Sequence, residues 1–117
     1  MVIIANIVVG LIAALHVWIL ILEMFFWNKP LGLRTFHMTQ AAADASATLA
    51  ANQGLYNGFL AAGLIWALAI NMPAAKVFFL ACVLIAGVFG GLTARRSILY
   101  IQGLPAAIGL ILLYVAR

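Results

Sequence analysis

Charge is the scarcest property of this chain: of its 117 residues only 7% are Asp, Glu, Lys or Arg, and only two are acidic. A globule dissolved in water needs far more polar surface than that to cover itself, so a soluble fold is excluded and a lipid bilayer is the expected solvent. Cysteine is nearly absent. Cys82 stands alone inside an apolar run, which excludes an internal disulfide, a Cys-x-x-Cys redox centre and a cysteine metal cluster and leaves packing as its expected role. The histidines, His16 and His37, are too far apart in sequence to form an i, i+3 or i, i+4 ligand pair, so no metal site is expected. Ser46 and Ser97 have no neighbouring histidine to activate them, the glycines form no phosphate-binding loop, and no cofactor is expected. The six basic residues, Lys29, Arg34, Lys76, Arg95, Arg96 and Arg117, sit singly or as one pair at segment ends. That is the pattern of membrane flanks, not of a nucleic-acid footprint, and nucleic acid is excluded as a partner.

What is present is apolar length. Hydrophobic residues make up 68% of the chain, and a span needs about 20 of them in succession. The sequence predicts an all-α fold, a bundle of four transmembrane helices in one membrane domain over 1–117. The helices are placed at about 2–27, 49–71, 74–94 and 97–115, with an interfacial connection at about 28–48. The first helix lacks the cationic start of a signal peptide and its apolar stretch is too long for one, so it is read as retained. It closes on Phe25, Phe26 and Trp27 before the turn signal Asn28-Lys29-Pro30. Asn71-Met72-Pro73 makes a tight turn between the second and third helices. Pro105 removes a backbone donor early in the fourth helix, where a kink is expected.

Lipid gives helices no hydrophobic reason to associate, so close contact depends on small residues. Gly54 with Gly58, Gly87 with Gly91, and Gly103 with Ala107 are small-xxx-small pairs, from which tight packing of the second, third and fourth helices is expected. The same faces are those a homo-oligomer would use. Four basic residues in the first and third connections, against Lys76 and Arg117 on the other side, orient the chain in the plasma membrane with both termini outside.

The polar residues within the helices converge on one leaflet. Glu23 lies about a turn from the end of the first helix; Asn52, Gln53, Tyr56 and Asn57 open the second; Arg95 and Arg96 close the third; Tyr100 and Gln102 open the fourth. His16, Glu23 and Trp27 follow i, i+7, i+11 spacing and share a helix face, with His16 roughly 10 Å deeper than Glu23 at 1.5 Å per residue. A carboxylate in a bilayer is costly, so it pairs, faces a wet cavity or takes a proton. An ion pair from Glu23 to Arg95 or Arg96 is therefore expected. His16 and Glu23 are a candidate proton-transfer pair, and Trp27, Asn52, Gln53, Tyr56, Asn57, Arg95, Arg96, Tyr100 and Gln102 are candidate ligand contacts. The plainer reading of the same residues is a structural polar cluster that ties the helices together.

The run from Ala50 to Leu64, AANQGLYNGFLAAGL, resembles the hallmark of a family of small four-helix membrane proteins catalogued as domain of unknown function 1304. His16 with Glu23-Met24-Phe25 and Trp27, Cys82 through Gly90, and Gln102-Gly103-Leu104-Pro105-Ala106 agree with it. The resemblance covers essentially the whole chain and is weakest from Gly32 to Ala47. It implies a four-helix membrane fold with Glu23, Asn52, Gln53, Asn57 and Gln102 at signature positions, and it implies no activity.

Three functions stay open. The first is a one-sided polar pocket that binds or processes a small polar, amphiphilic or lipid-like molecule. The second is a small proton-coupled transporter, similar in size and helix number to the small multidrug-resistance family but without its motifs and with its glutamate away from mid-helix. The third is a non-catalytic scaffold or subunit. Whether there is enzymatic chemistry is left open by the residues.

Overall fold

The computed structural model describes residues 1–117, and every regular element is helical. Helix α1 is Val2–Phe25, α2 Pro30–Phe36, α3 Gln40–Ala69, α4 Pro73–Thr93 and α5 Arg96–Ala116. Pro30 and Pro73 occupy the first turns of α2 and α4, where a missing N–H costs nothing and the fixed φ suits a helix. His37 ends α2 in the left-handed region at φ 54°, and Asn71 takes φ 49° in the turn after α3. Thr39 caps α3, its Oγ1 accepting the backbone N–H of Ala42 at 3.1 Å, which satisfies one of the donors a helix start leaves open.

Helices α1, α4 and α5 are each long and apolar enough to cross a membrane. The helix expected over 49–71 instead runs from Gln40 to Ala69, so the second half of the anticipated interfacial connection is helical and only α2 stands separately within it. At 30 residues α3 spans about 45 Å, yet its stretch from Gln40 to Asn57 carries Gln40, Asp44, Asn52, Gln53 and Asn57. Those groups keep it outside the three apolar helices. In α5, Leu99–Gly103 winds as a π-helix, with the Leu104 N–H reaching back to the Leu99 carbonyl. Pro105 follows immediately, so the disturbance expected from proline is a widened turn on its N-terminal side, one of the recognised ways a helix absorbs such a break.

The chain divides into two compact units, Leu15–Phe59 and Met1–Ala14 with Leu60–Arg117. In the second of these, Val9, Ile12 and Ala13 of α1 join Leu64, Leu80, Val83 and Ala106 in one buried cluster. Its closest helix approach is between α4 and α5. A Cβ added at Gly87 would sit 2.5 Å from the Gly103 backbone nitrogen and 2.7 Å from its Cα. The π-helical turn therefore lies directly against Gly87, backbone to backbone. In the Leu15–Phe59 unit, Leu22, Ala43 and Ala50 are buried, and Gly32 of α2 is wedged against the Phe26 and Trp27 carbonyls, leaving no space for a side chain.

Gly87→Ala presses a methyl group on backbone that no rotamer change can move aside, so a loss of about 1–3 kcal/mol is expected. Gly10 has nothing within 4 Å of an added Cβ, and Gly10→Ala should be neutral or stabilising by up to about 1 kcal/mol. Thermal unfolding of both variants in detergent checks the contrast.

Candidate functional site

The polar residues of the Leu15–Phe59 unit organise around the approach of α1 to α3. Leu20, Glu23 and Met24 present one stripe of α1 to Gly54 and Gly58 of α3. A Cβ at Gly54 would lie 2.6 Å from Met24 Cγ and 3.1 Å from Glu23 Cβ, and one at Gly58 2.6 Å from Leu20 Cδ1. Asn57, one residue before Gly58, is thereby brought to Glu23 and donates from Nδ2 to Oε1 at 2.5 Å. The second Nδ2 hydrogen goes to the Gln53 carbonyl at 3.2 Å. The Gln53 carbonyl can only accept, which orients the amide: Nδ2 faces Glu23 and the Gln53 carbonyl, and Oδ1 is left as an acceptor.

Around this bond the surface is polar and open. Asn52, Gln53 and Tyr56 are exposed, and Glu23 and Asn57 are half-buried. Tyr56 makes an edge-on contact with Phe59, centroids 5.7 Å apart. Gln53 and Asn57, one turn apart on the same face, thus offer amide groups near a carboxyl group on a helix apolar enough for a bilayer, whereas Asn52, about 140° round α3 from Asn57, lies on another face. His16, seven residues earlier on α1, is completely buried. Along the helix axis it is about 10 Å from Glu23.

Trp27 belongs to a separate clasp at the other side of the turn. Its indole N–H donates to Ser46 Oγ at 3.0 Å, Ser46 in turn donates to the Ala42 carbonyl at 2.8 Å, and the ring lies 4.9 Å from that of Phe36. Asp44 accepts from Asn28 Nδ2 at 3.1 Å and from Gln40 Nε2 at 3.0 Å, while Gln40 also donates to the Asn28 carbonyl. These bonds tie the turn after α1 to the first two turns of α3. Trp27 and Asp44 are accordingly placed as fasteners of the turn.

The bond that the structure assigns to Glu23 within its unit is to Asn57, a neutral amide. Arg95, Arg96, Tyr100 and Gln102 belong to the other unit; there Gln102 is half-buried in the π-helical turn, and Arg95, Arg96 and Tyr100 are exposed.

One polar centre escaped sequence reasoning. Lys76, counted there as a membrane-flanking charge, is 2% exposed, and its Nζ donates to Asn6 Oδ1 at 2.9 Å and Asn71 Oδ1 at 2.8 Å. The signal was Asn6, a lone amide in the first turns of an apolar helix, but nothing in one dimension pairs position 6 with position 76.

The clasp yields a quantitative expectation. Trp27→Phe keeps the contact with Phe36 but loses the bond to Ser46, at a cost of about 1 kcal/mol. In the Ser46→Ala background the same change should cost markedly less, and a double-mutant cycle by thermal unfolding measures the coupling.

Comparison with known proteins places the chain. Residues 10–114 match the model of the family described as "Protein of unknown function (DUF1304)". A relative from Lactococcus lactis subsp. lactis (strain IL1403), described as "Uncharacterized protein YpaA", is 31% identical over 113 residues, covering 92% of this chain and 95% of that protein. No solved structure matches the chain.

Proposed function

Because the chain belongs to the DUF1304 family, whose members share no stated activity, we propose its role from its own residues: a membrane-embedded binder of a small amphiphilic molecule, whose polar group is taken up by Glu23 and Asn57. The observation that carries this reading is the Asn57–Glu23 hydrogen bond on α1. A carboxyl group on a membrane-crossing helix is costly to keep, and a single amide bond in a half-buried setting is less than full compensation. Pure structural glue would be served by an apolar pair at lower cost.

In this reading Glu23 accepts a hydrogen bond from a hydroxyl or amine of the headgroup. Asn57 Oδ1 and Gln53, one turn apart on α3, orient it, and the apolar tail follows the stripe of α1 and α3 into the bilayer. His16 is the reserve proton carrier deeper on α1. The resident site is drawn entirely from the Leu15–Phe59 unit.

The expected behaviour is direct. Wild-type protein extracted in mild detergent should carry a co-purifying small molecule detectable by mass spectrometry, and Glu23→Gln and Asn57→Ala should each reduce it at least tenfold while both variants keep their helical content and melting profile. Retention unchanged in both variants, or no bound molecule in the wild type, turns the cluster into scaffolding.

The same proposal takes α3 as a fourth span. Its stretch from about Leu49 to Ala69, about 30 Å long, crosses the hydrocarbon with Asn52, Gln53 and Asn57 toward one end, and the turns from Gln40 ride at the interface beside the lipid headgroups. Both termini then lie on one side, outside the plasma membrane, because Lys29, Arg34, Arg95 and Arg96 fall in the two connections on the other side. With Cys82 replaced by Ala, Lys29→Cys and Met72→Cys should react with an impermeant thiol reagent from opposite faces of sealed vesicles. Labelling of both from one face removes the fourth span.

A further inference from the structure

The unit formed by Met1–Ala14 and Leu60–Arg117 holds Lys76, Arg95, Arg96 and Arg117 and contains no aspartate or glutamate. A cation buried in an apolar helix bundle ordinarily has an anion beside it. Lys76 has none among its side-chain partners: two of its three ammonium hydrogens go to the amide oxygens of Asn6 and Asn71. Beside it opens a groove of about 730 Å³, lined by Val2 of α1, Asn71, Lys76 and Val77 at the start of α4, and Leu113 and Arg117 at the end of α5. Arg117 is held there by its own helix, the guanidinium carbon 4.2 Å from the centre of the Tyr114 ring, a cation–π contact that presents the charge while limiting its freedom.

Two features of the groove select its occupant. Its two cations, with no carboxylate side chain in the unit, demand a negative charge. Its walls come from α1, α4 and α5, the three helices apolar enough to cross a membrane, and it sits where α1 and α4 begin and α5 ends, the level at which headgroups lie. A water-soluble anion uses the charge and leaves the apolar wall unoccupied. A lipid uses both. Basic pockets between membrane helices are a recurrent means of taking an acidic headgroup.

We propose that this groove is a binding site for an anionic phospholipid, its phosphate on Lys76 and Arg117 and its acyl chain along Val77 and Leu113. The third Lys76 hydrogen is the one the phosphate accepts, so Asn6 and Asn71 act as positioning residues that aim the ammonium. The proposal does not rest on the Glu23 reading, since no residue is shared between the two.

The test uses full-length protein in lipid nanodiscs or mild detergent, with native mass spectrometry of phosphatidylglycerol and phosphatidylcholine adducts at equal lipid concentration. Wild type should favour phosphatidylglycerol about tenfold. Lys76→Gln should bring the two lipids to near equality, Arg117→Gln should cut the preference several-fold, and Glu23→Gln should leave it intact. Leu113→Trp, which keeps both charges and fills the apolar wall, should lower phosphatidylglycerol binding and serves as the decisive variant if Lys76→Gln does not fold. Equal binding of both lipids by the wild type, or an undiminished preference in Arg117→Gln together with undiminished phosphatidylglycerol binding in Leu113→Trp, overturns the proposal. So does displacement of phosphatidylglycerol by millimolar inorganic phosphate, which would make the site one for a free anion.

Discussion

Neutral amides stand where counter-ions would be expected, and the polar structure of this protein depends on that substitution. Glu23 is bonded to Asn57, and Lys76 to Asn6 and Asn71. An amide satisfies the directional needs of a charged group without cancelling its charge. In an apolar surrounding, where fields are weakly screened, the charge therefore stays available to a third party. A direct ion pair would have closed both centres. Each unit thus holds one ionisable group bonded to amides in place of a counter-ion, the Glu23 carboxyl in Leu15–Phe59 and the Lys76 ammonium in the other.

Glycine makes the Glu23–Asn57 contact geometrically attainable and sets the closest packing of α4 on α5. Gly54 and Gly58 bring α1 within side-chain reach of Asn57, and Gly87 admits the π-helical turn of α5 against α4. Helices in lipid associate through such close approach and through hydrogen bonds between side chains, because the surrounding acyl chains are as apolar as leucine. In both units the close-packed glycine follows an amide residue in the sequence: Gly58 follows Asn57, and Gly103 follows Gln102. In the Leu15–Phe59 unit packing and polarity are therefore set by the same few positions, and a substitution at Gly54 or Gly58 would displace Asn57 from Glu23.

Several neighbouring polar residues have a more modest role. Trp27, Ser46, Asp44, Asn28 and Gln40 bond to one another and fasten the turn that carries α1 into α3. They hold the frame in which Glu23 meets Asn57. Spacing alone put Trp27 on the face of Glu23, but Trp27 lies beyond the last turn of α1, where helical periodicity no longer governs direction. The helical reach of α3 back to Gln40 was hidden for a related reason: its first turns are stabilised by the Thr39 cap and the Gln40–Asp44 contact, local bonds that hydropathy does not register.

By itself, the sequence determined the all-helical, membrane-apolar character of the chain, the turns at Pro30 and Pro73, the small-residue positions, and the family. These follow from composition, from proline's fixed φ and missing donor, and from a fifteen-residue run from Ala50 to Leu64 read directly. It also singled out Glu23 and Asn57, since a carboxyl and an amide are conspicuous in apolar helices. Only the tertiary structure decided who holds whom. Asn57 with Glu23 are separated by 34 positions and Lys76 with Asn6 by 70, and such pairings depend on how closely two helix backbones approach and at what rotation. A charged residue near a span's end reads the same whether it snorkels to water or turns inward, and Lys76 turned inward because Asn6 and Asn71 were there to receive it.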